Sequence, residues 1–269
     1  MAKHPALSEL TVTEFLTVAR MGFMPRGVAI GSCIFEAGNE YDWVVATQEI
    51  GRLSTALRAA RRLAVDRMRK QARALGADGV VDVRVQVEHD VWRGNRMVAK
   101  FVAVGTAIAF DEALAPEALR ASPSLRLQDG DPFTSDLAAV DFVTLLRAGY
   151  RPVSLAMGAC VYGLDPRHLR AYRDRDAEVE EYTQAFFDAR ETAMDRLQQE
   201  LFKDHPAHGP DAPVGIVGVA VSESFYGGGQ TAPIVEFSAL GTAVAELAPG
   251  DPRRAEKHAR PEVVVPLDA

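Results

Sequence analysis

The sequence predicts an α+β protein made of two tandem copies of a small domain, in which a long helix lies on an antiparallel sheet in βαββ order and an extra helix precedes each copy. Three observations carry this reading. The first is an internal repeat at an offset of 127 residues. It runs without a gap from Ser8-Glu9-Leu10 and Ser135-Asp136-Leu137 through Phe15/Phe142, Gly22/Gly149, Pro25/Pro152 and Gly31/Gly158 to Cys33/Cys160. The second is a long amphipathic pattern that occurs twice. The third is a closing Gly105-Thr106-Ala107 answered by Gly241-Thr242-Ala243 at an offset of 136. A repeat of this length is a folded domain, since solenoid units run to roughly 20 to 50 residues.

The elements follow in order. Ser8 and Ser135, each beside an acid, are predicted N-caps of the extra helices. Gly22 and Gly149 end those helices, with Pro25 and Pro152 just beyond. Val28–Phe35 and Leu155–Tyr162 read as strands. In the long helix, Ile50, Leu53, Leu57, Ala60, Ala64, Met68 and Ala72 are answered by Val179, Tyr182, Phe186, Ala189, Ala193, Leu197 and Leu201. Spacings of three and four give one buried stripe, on a helix of about 25 residues starting at Glu49 or Glu178.

Next, Val81, Val83, Val85 and Val87 alternate with Asp82, Arg84, Gln86 and Glu88, the pattern of a strand with one wet face. The second copy keeps Val217, Val219 and Val221 but sets Gly218, Ala220 and Ser222 between them, a smaller and drier face on which another element is expected to pack. Arg93-Gly94-Asn95 and Gly227-Gly228-Gly229 predict hairpin turns. The triple glycine lies between strands and not before a helix, which favours a turn over a phosphate cradle. The predicted division is a first domain at 1–110, a linker at 111–134 with Pro116, Pro123 and Pro132, a second domain at 135–246, and a Pro-rich charged tail at 247–269.

With 269 residues, 48% of them hydrophobic, the chain can fill a core in each domain. No apolar run approaches the ~18 residues of a membrane span, and the N-terminus lacks the apolar core of a signal peptide, so no membrane partner is expected. Two cysteines at equivalent sites read as free thiols of a reducing compartment, which predicts the cytoplasm. Net charge is −7, divided as +4 for residues 1–110 (15 Lys and Arg against 11 Asp and Glu) and −11 for the remainder. An acidic whole argues against a nucleic-acid partner. Opposite signs suggest instead that the two parts attract each other.

These pieces resemble the YbjQ family, known as heavy-metal-binding domains. The matching segments are Gly22-Phe23-Met24-Pro25 leading to Gly31-Ser32-Cys33, the helix ending in Ala74-Leu75-Gly76-Ala77-Asp78-Gly79-Val80-Val81, and Gly105-Thr106-Ala107. In the second copy they are Gly149-Tyr150-Arg151-Pro152, Gly158-Ala159-Cys160 and Gly241-Thr242-Ala243, with Lys203-Asp204-His205-Pro206-Ala207-His208-Gly209 inserted after the long helix. The resemblance implies a small, dodecin-like α+β subunit that assembles into rings, pentameric in the family. It supplies no ligand set to carry over.

The candidate metal ligands are Cys33, Cys160, His205 and His208. One thiol per domain cannot hold a soft metal, which takes two to four such ligands, so only assembly could gather enough of them. The default for both cysteines is a small buried hydrophobe. His205 and His208 lie three apart between Asp204 and Asp211, a set able to hold a divalent metal, on a turn marked by Pro206 and Gly209. Glu49/Glu178, Arg61/Arg190, Asp66/Asp195 and Arg67/Arg196 recur in the long helices and read as exposed charge, with Arg62 and Asp66 as an i,i+4 pair. No nucleophile with a base beside it recurs in the two copies, so no catalytic residue is assigned. The expectation is a cytoplasmic, non-enzymatic, ring-forming binding or scaffolding protein, a homopentamer whose main partner is itself. The alternatives are a binder of a heavy metal or small ligand between subunits, and an enzyme of unrecognised type.

Overall fold

The computed structural model describes residues 7–37, 46–92, 96–167, 176–203, 208–226 and 232–254. In chain order the elements are α1 (Val12–Ala19), β1 (Phe23–Ala37), β2 (Gln48–Glu49), α2 (Gly51–Ala74), β3 (Gly79–Trp92), β4 (Arg96–Phe110), β5 (Phe133–Thr134), α3 (Ala139–Arg147), β6 (Tyr150–Gly163), α4 (Glu180–Lys203), β7 (Gly215–Tyr226) and β8 (Ile234–Glu246). They form two four-stranded sheets, ordered β1-β4-β3-β5 and β2-β6-β8-β7. The class is mixed α+β, as the patterning predicts.

The first helix starts later than its serine suggests. Thr11 is the N-cap of α1, in a capping box where Thr11 N donates to Glu14 at 2.8 Å and Glu14 N donates to the Thr11 hydroxyl at 3.3 Å. Helix α3 follows Ala138, which offers no side-chain cap. Ser8 and Ser135 instead accept from the backbone two residues on, Leu10 N at 3.0 Å and Leu137 N at 3.1 Å, and so bend the approach to each helix.

Helices α2 and α4 are each 24 residues long. Their stripes press on the sheets through small residues. A Cβ at Gly31 would stand 2.0 Å from Ala64 O, and one at Gly158 would stand 1.9 Å from Ala193 O, so both crossings require glycine. The closing Gly-Thr-Ala segments are explained too. A Cβ at Gly105 or Gly241 would meet Val81 O or Val217 O at 2.9 and 3.1 Å. The buried hydroxyls of Thr106 and Thr242 accept from Glu9 N at 3.2 Å and Asp136 N at 3.0 Å.

One predicted pattern is broken. The alternation of Val81, Val83, Val85 and Val87 is interrupted by a bulge between Val81 and Arg84, where Asp82 takes φ +52°. The extra residue turns Val81 into the core beneath α1 and α3, while Val83 stays in the core beneath α2. The register shifts between Val217 and Ala220 in the same way, with Gly218 at φ +67°.

The apolar interior has three main parts. One lies under α2 and extends to Leu155, Val161 and Ile234 of the second sheet. One joins α1 and α3 around Phe23, Phe133 and Phe142. One lies under α4 around Cys160, Ala189 and Phe237. The expected linker packs closely: β5 runs parallel to the start of β3, and Leu125 and Phe133 are buried. The first part of the expected tail is held as well, since Arg253, ion-paired to Asp251 at 2.6 Å, donates to Pro123 O at 2.9 Å. Val263–Val265 and both hairpin tips lie outside the described residues.

Candidate functional site

The seam between the two halves is where chemistry-bearing side chains converge. The short strand β2 leaves the first half and joins the edge of β6, pairing Gln48 with Gly163 and Glu49 with Tyr162. Ile50 N then donates to Val161 O at 2.8 Å, and Val161 N donates to the Ser54 hydroxyl at 2.9 Å. Arg196 of α4 closes the corner, with Nη2 2.7 Å from Glu49 and Nη1 donating to Ala159 O at 2.9 Å. Burial alone would raise the Glu49 carboxyl, but hydrogen bonds from Ser54 and Arg196 outweigh it and hold the group below its ordinary value.

Deeper in the seam, Arg61 of α2 pairs with Glu236 of β8 and lies 5.2 Å from the centre of the Phe101 ring. Both members of the pair are buried. Arg61 Nη1 has no hydrogen-bond partner among the described residues. Beside it runs a groove of about 170 Å³ lined by Val85, Val87, Met157, Ser222 and Ser238. Ala220 and Ser222, expected to lie under another element, are exposed along this groove. A wider cleft of about 470 Å³ continues past Arg62, Asp66, Arg69, Asp131 and Glu200. Its charges are engaged with one another: Arg62 with Glu200, Arg69 with Asp66 at 2.9 Å, and Arg73 with Asp131.

The four candidate metal ligands are placed apart. Cys33 sits in the core under α2, and Cys160 in the core under α4. Burial, and then the nearby Glu49 carboxylate, push the Cys160 thiol up to about 11, so it is neutral at physiological pH, whereas metal ligation uses the thiolate. His205 lies outside the described residues, and His208 is exposed at their border. Asp211, expected beside these histidines, is ion-paired with Arg151 and accepts from Gln128 N at 2.7 Å. Among the described residues no group of three or more His, Cys, Asp or Glu is arranged to hold a metal. The seam itself was missed from sequence. Arg61 recurs as Arg190, which was visible, but its partner is 175 residues away and follows no local spacing. No described helix is long and apolar enough to cross a membrane.

The helix-on-sheet unit of the first half is similar to a known class of domain: the model of the YbjQ family, described as "Putative heavy-metal-binding", matches residues 43–111. The nearer relationship spans the whole chain. The encapsulin nanocompartment protein Rv1762c of Mycobacterium tuberculosis is 34% identical over 272 aligned residues, covering 100% of this chain and 94% of that protein. The chain belongs to the family of that nanocompartment protein. This corrects the expected function of a ring-forming binding or scaffolding protein, or else a metal or ligand binder between subunits. The whole-length relative is named as an encapsulin nanocompartment protein. The error has a physical origin: repeats and periodicity report how a domain packs on itself, and carry no signal of the larger body in which it sits.

Proposed function

We propose that this chain is a self-associating, non-catalytic component of an encapsulin-type nanocompartment in the cytoplasm, made of two copies of the YbjQ-like unit at 1–110 and 135–246. The observation that carries this is the full-length match. A relative named for a nanocompartment aligns from end to end, so the likeness extends well beyond the segment that matches the family model. One feature supports self-association and another the absence of catalysis. Large apolar side chains stand exposed on both halves, among them Ile34 at 70% and Phe187 at 58%. The non-catalytic part of the reading is supported by the seam's charges, which among the described residues are engaged in structural pairs, Arg61 with Glu236 and Arg196 with Glu49. The two-copy reading is supported by the shared bulges, the shared glycine crossings and the 24-residue helices. Light scattering and electron microscopy of the chain expressed alone provide the test. Uniform particles many times the 29.2 kDa chain are expected, and a monomer at micromolar concentration would overturn the proposal.

A further inference from the structure

We infer that the seam inside each chain is repeated between chains, so that the second half of one copy docks on the first half of the next. The inference rests on the reading of the halves as copies and of the chain as self-associating. Its basis is a contrast between equivalent positions. Within the chain, the second sheet is covered on both faces: α4 lies on one, and the first half covers Leu155, Val161 and Ile234 on the other. On the first sheet α2 covers one face, and α1 and α3 cover the end of the other at Val81 and Ile108, leaving the stretch around Ile30 and Ile34 exposed. Val161 is 0% exposed, whereas Ile34, its equivalent at the 127-residue offset, is 70% exposed; Met157 packs on the core, whereas its equivalent Ile30 is 49% exposed.

The complementary face shows the same contrast in reverse. Val83, in the half that docks within the chain, is 2% exposed, and Val219, its equivalent, is 40% exposed. Val221 and Phe225 continue that strip along the edge strand β7, at 48% and 55%. Each chain therefore satisfies one of each kind of face and presents one of each unsatisfied. Two different faces joined head to tail make a heterologous contact that passes from copy to copy.

The polar groups of the seam recur as well. Arg67 stands where Arg196 does, already donating to Ser32 O as Arg196 donates to Ala159 O. Glu178 stands where Glu49 does, Thr183 where Ser54 does, and β1 is an edge strand with Ile34 in the place of Val161. Residues 177–178 of one copy thus extend the β1 edge of the next, and Glu178 meets Arg67 there. The opposite charges of the two parts, +4 and −11, favour the same contact. One element does not recur: Lys100 occupies the position of Glu236, opposite Arg190, so the contact between chains lacks the buried ion pair and is the weaker of the two.

The test uses two variants that spoil opposite faces at exposed positions: Ile34→Glu, and Phe187→Glu on α4, whose equivalent Arg58 lines the seam within the chain. Each alone is expected to lose assembly and run as the 29.2 kDa chain in light scattering. Mixed in equal amounts, they should form a one-to-one dimer of twice that mass, because each keeps the face the other has lost. The dimer on mixing also shows that both variants are folded. A wild-type chain that assembles while both variants assemble equally well, or variants that stay monomeric on mixing, would overturn the inference and leave the nanocompartment reading in place. A monomeric wild-type chain would remove both.

Discussion

Gly158→Ala adds a single methyl group at the point where α4 crosses β6. The new carbon would stand 1.9 Å from Ala193 O and 2.7 Å from Leu197 N, both backbone atoms of the helix. Non-bonded atoms rest at about 3.5 Å, so α4 must lift by more than about 1 Å. A gap of that size forfeits roughly a quarter to a half of the dispersion attraction of the side chains beneath it, here Ala189, Ala193 and Leu197. Overpacking of a core costs about 1–3 kcal/mol, and the loosened stripe adds to it, for a total of about 3–5 kcal/mol. For a chain of this size that lowers Tm by roughly 6–20 °C in differential scanning calorimetry. Gly51→Ala is the internal control. It is the same chemical change in the first turn of α2, where nothing lies within 4 Å of the added carbon, and it should gain up to about 1 kcal/mol. A fall of less than about 2 °C for Gly158→Ala, or the same effect at both glycines, would refute the close-crossing argument.

Arg61→Met should cost about 3–5 kcal/mol in urea denaturation by removing the positive charge paired with the buried Glu236 carboxylate. Adding Glu236→Leu should recover most of that loss, and a double variant as unstable as the single one would show that the two charges do not depend on each other. Thr242→Val should destabilise more than Thr106→Val, by about 1–3 kcal/mol, because Thr242 serves both Ser135 and Asp136 while Thr106 accepts from Glu9 N. Equal Tm values for the pair would count against this. The Cys160 thiol, ordinarily near 9, is raised to about 11 in the folded chain. The folded state thus holds this proton more tightly than the unfolded state, and its contribution is complete below about 9 and lost as pH rises towards about 11. Native Cys160 should accordingly resist iodoacetamide at pH 8 and react once urea unfolds the chain; rapid alkylation of the native protein would contradict its burial.

The features legible in the sequence were those written in local spacing. The stripes from Leu53 to Ala72 and from Tyr182 to Leu201 are set by helical geometry alone, and both helices lie where those stripes place them. The valine alternation failed at Asp82 because a bulge inserts one residue without altering composition. Serine serves helix ends and turns by the same hydrogen bond, so only the geometry shows that Ser8 and Ser135 bend the approach to each helix instead of capping it. The seam was the least legible. Strand β2 has two residues, too few for any period, and Arg61 meets a glutamate whose counterpart in the other half is a lysine. Assembly lies further still from local pattern, since Ile34 and Val161 differ in exposure far more than in kind.

The bulge at Asp82 also bears on the order in which the chain can be completed during synthesis. Its backbone N–H reaches Leu137 O at 2.9 Å, Val83 N reaches Ser135 O at 3.0 Å, and β5 flanks the start of β3. A nascent chain that has just exposed residue 110 therefore has the strands β1, β4 and β3 but no partner for the Asp82 corner. That corner closes only when residues 133–137 emerge, roughly a few seconds later at ~5–20 residues per second. The stretch that opens the second half is thus the last piece of the first sheet. The two halves are not finished one after the other, and until the second begins, the first waits with its bulge unpaired.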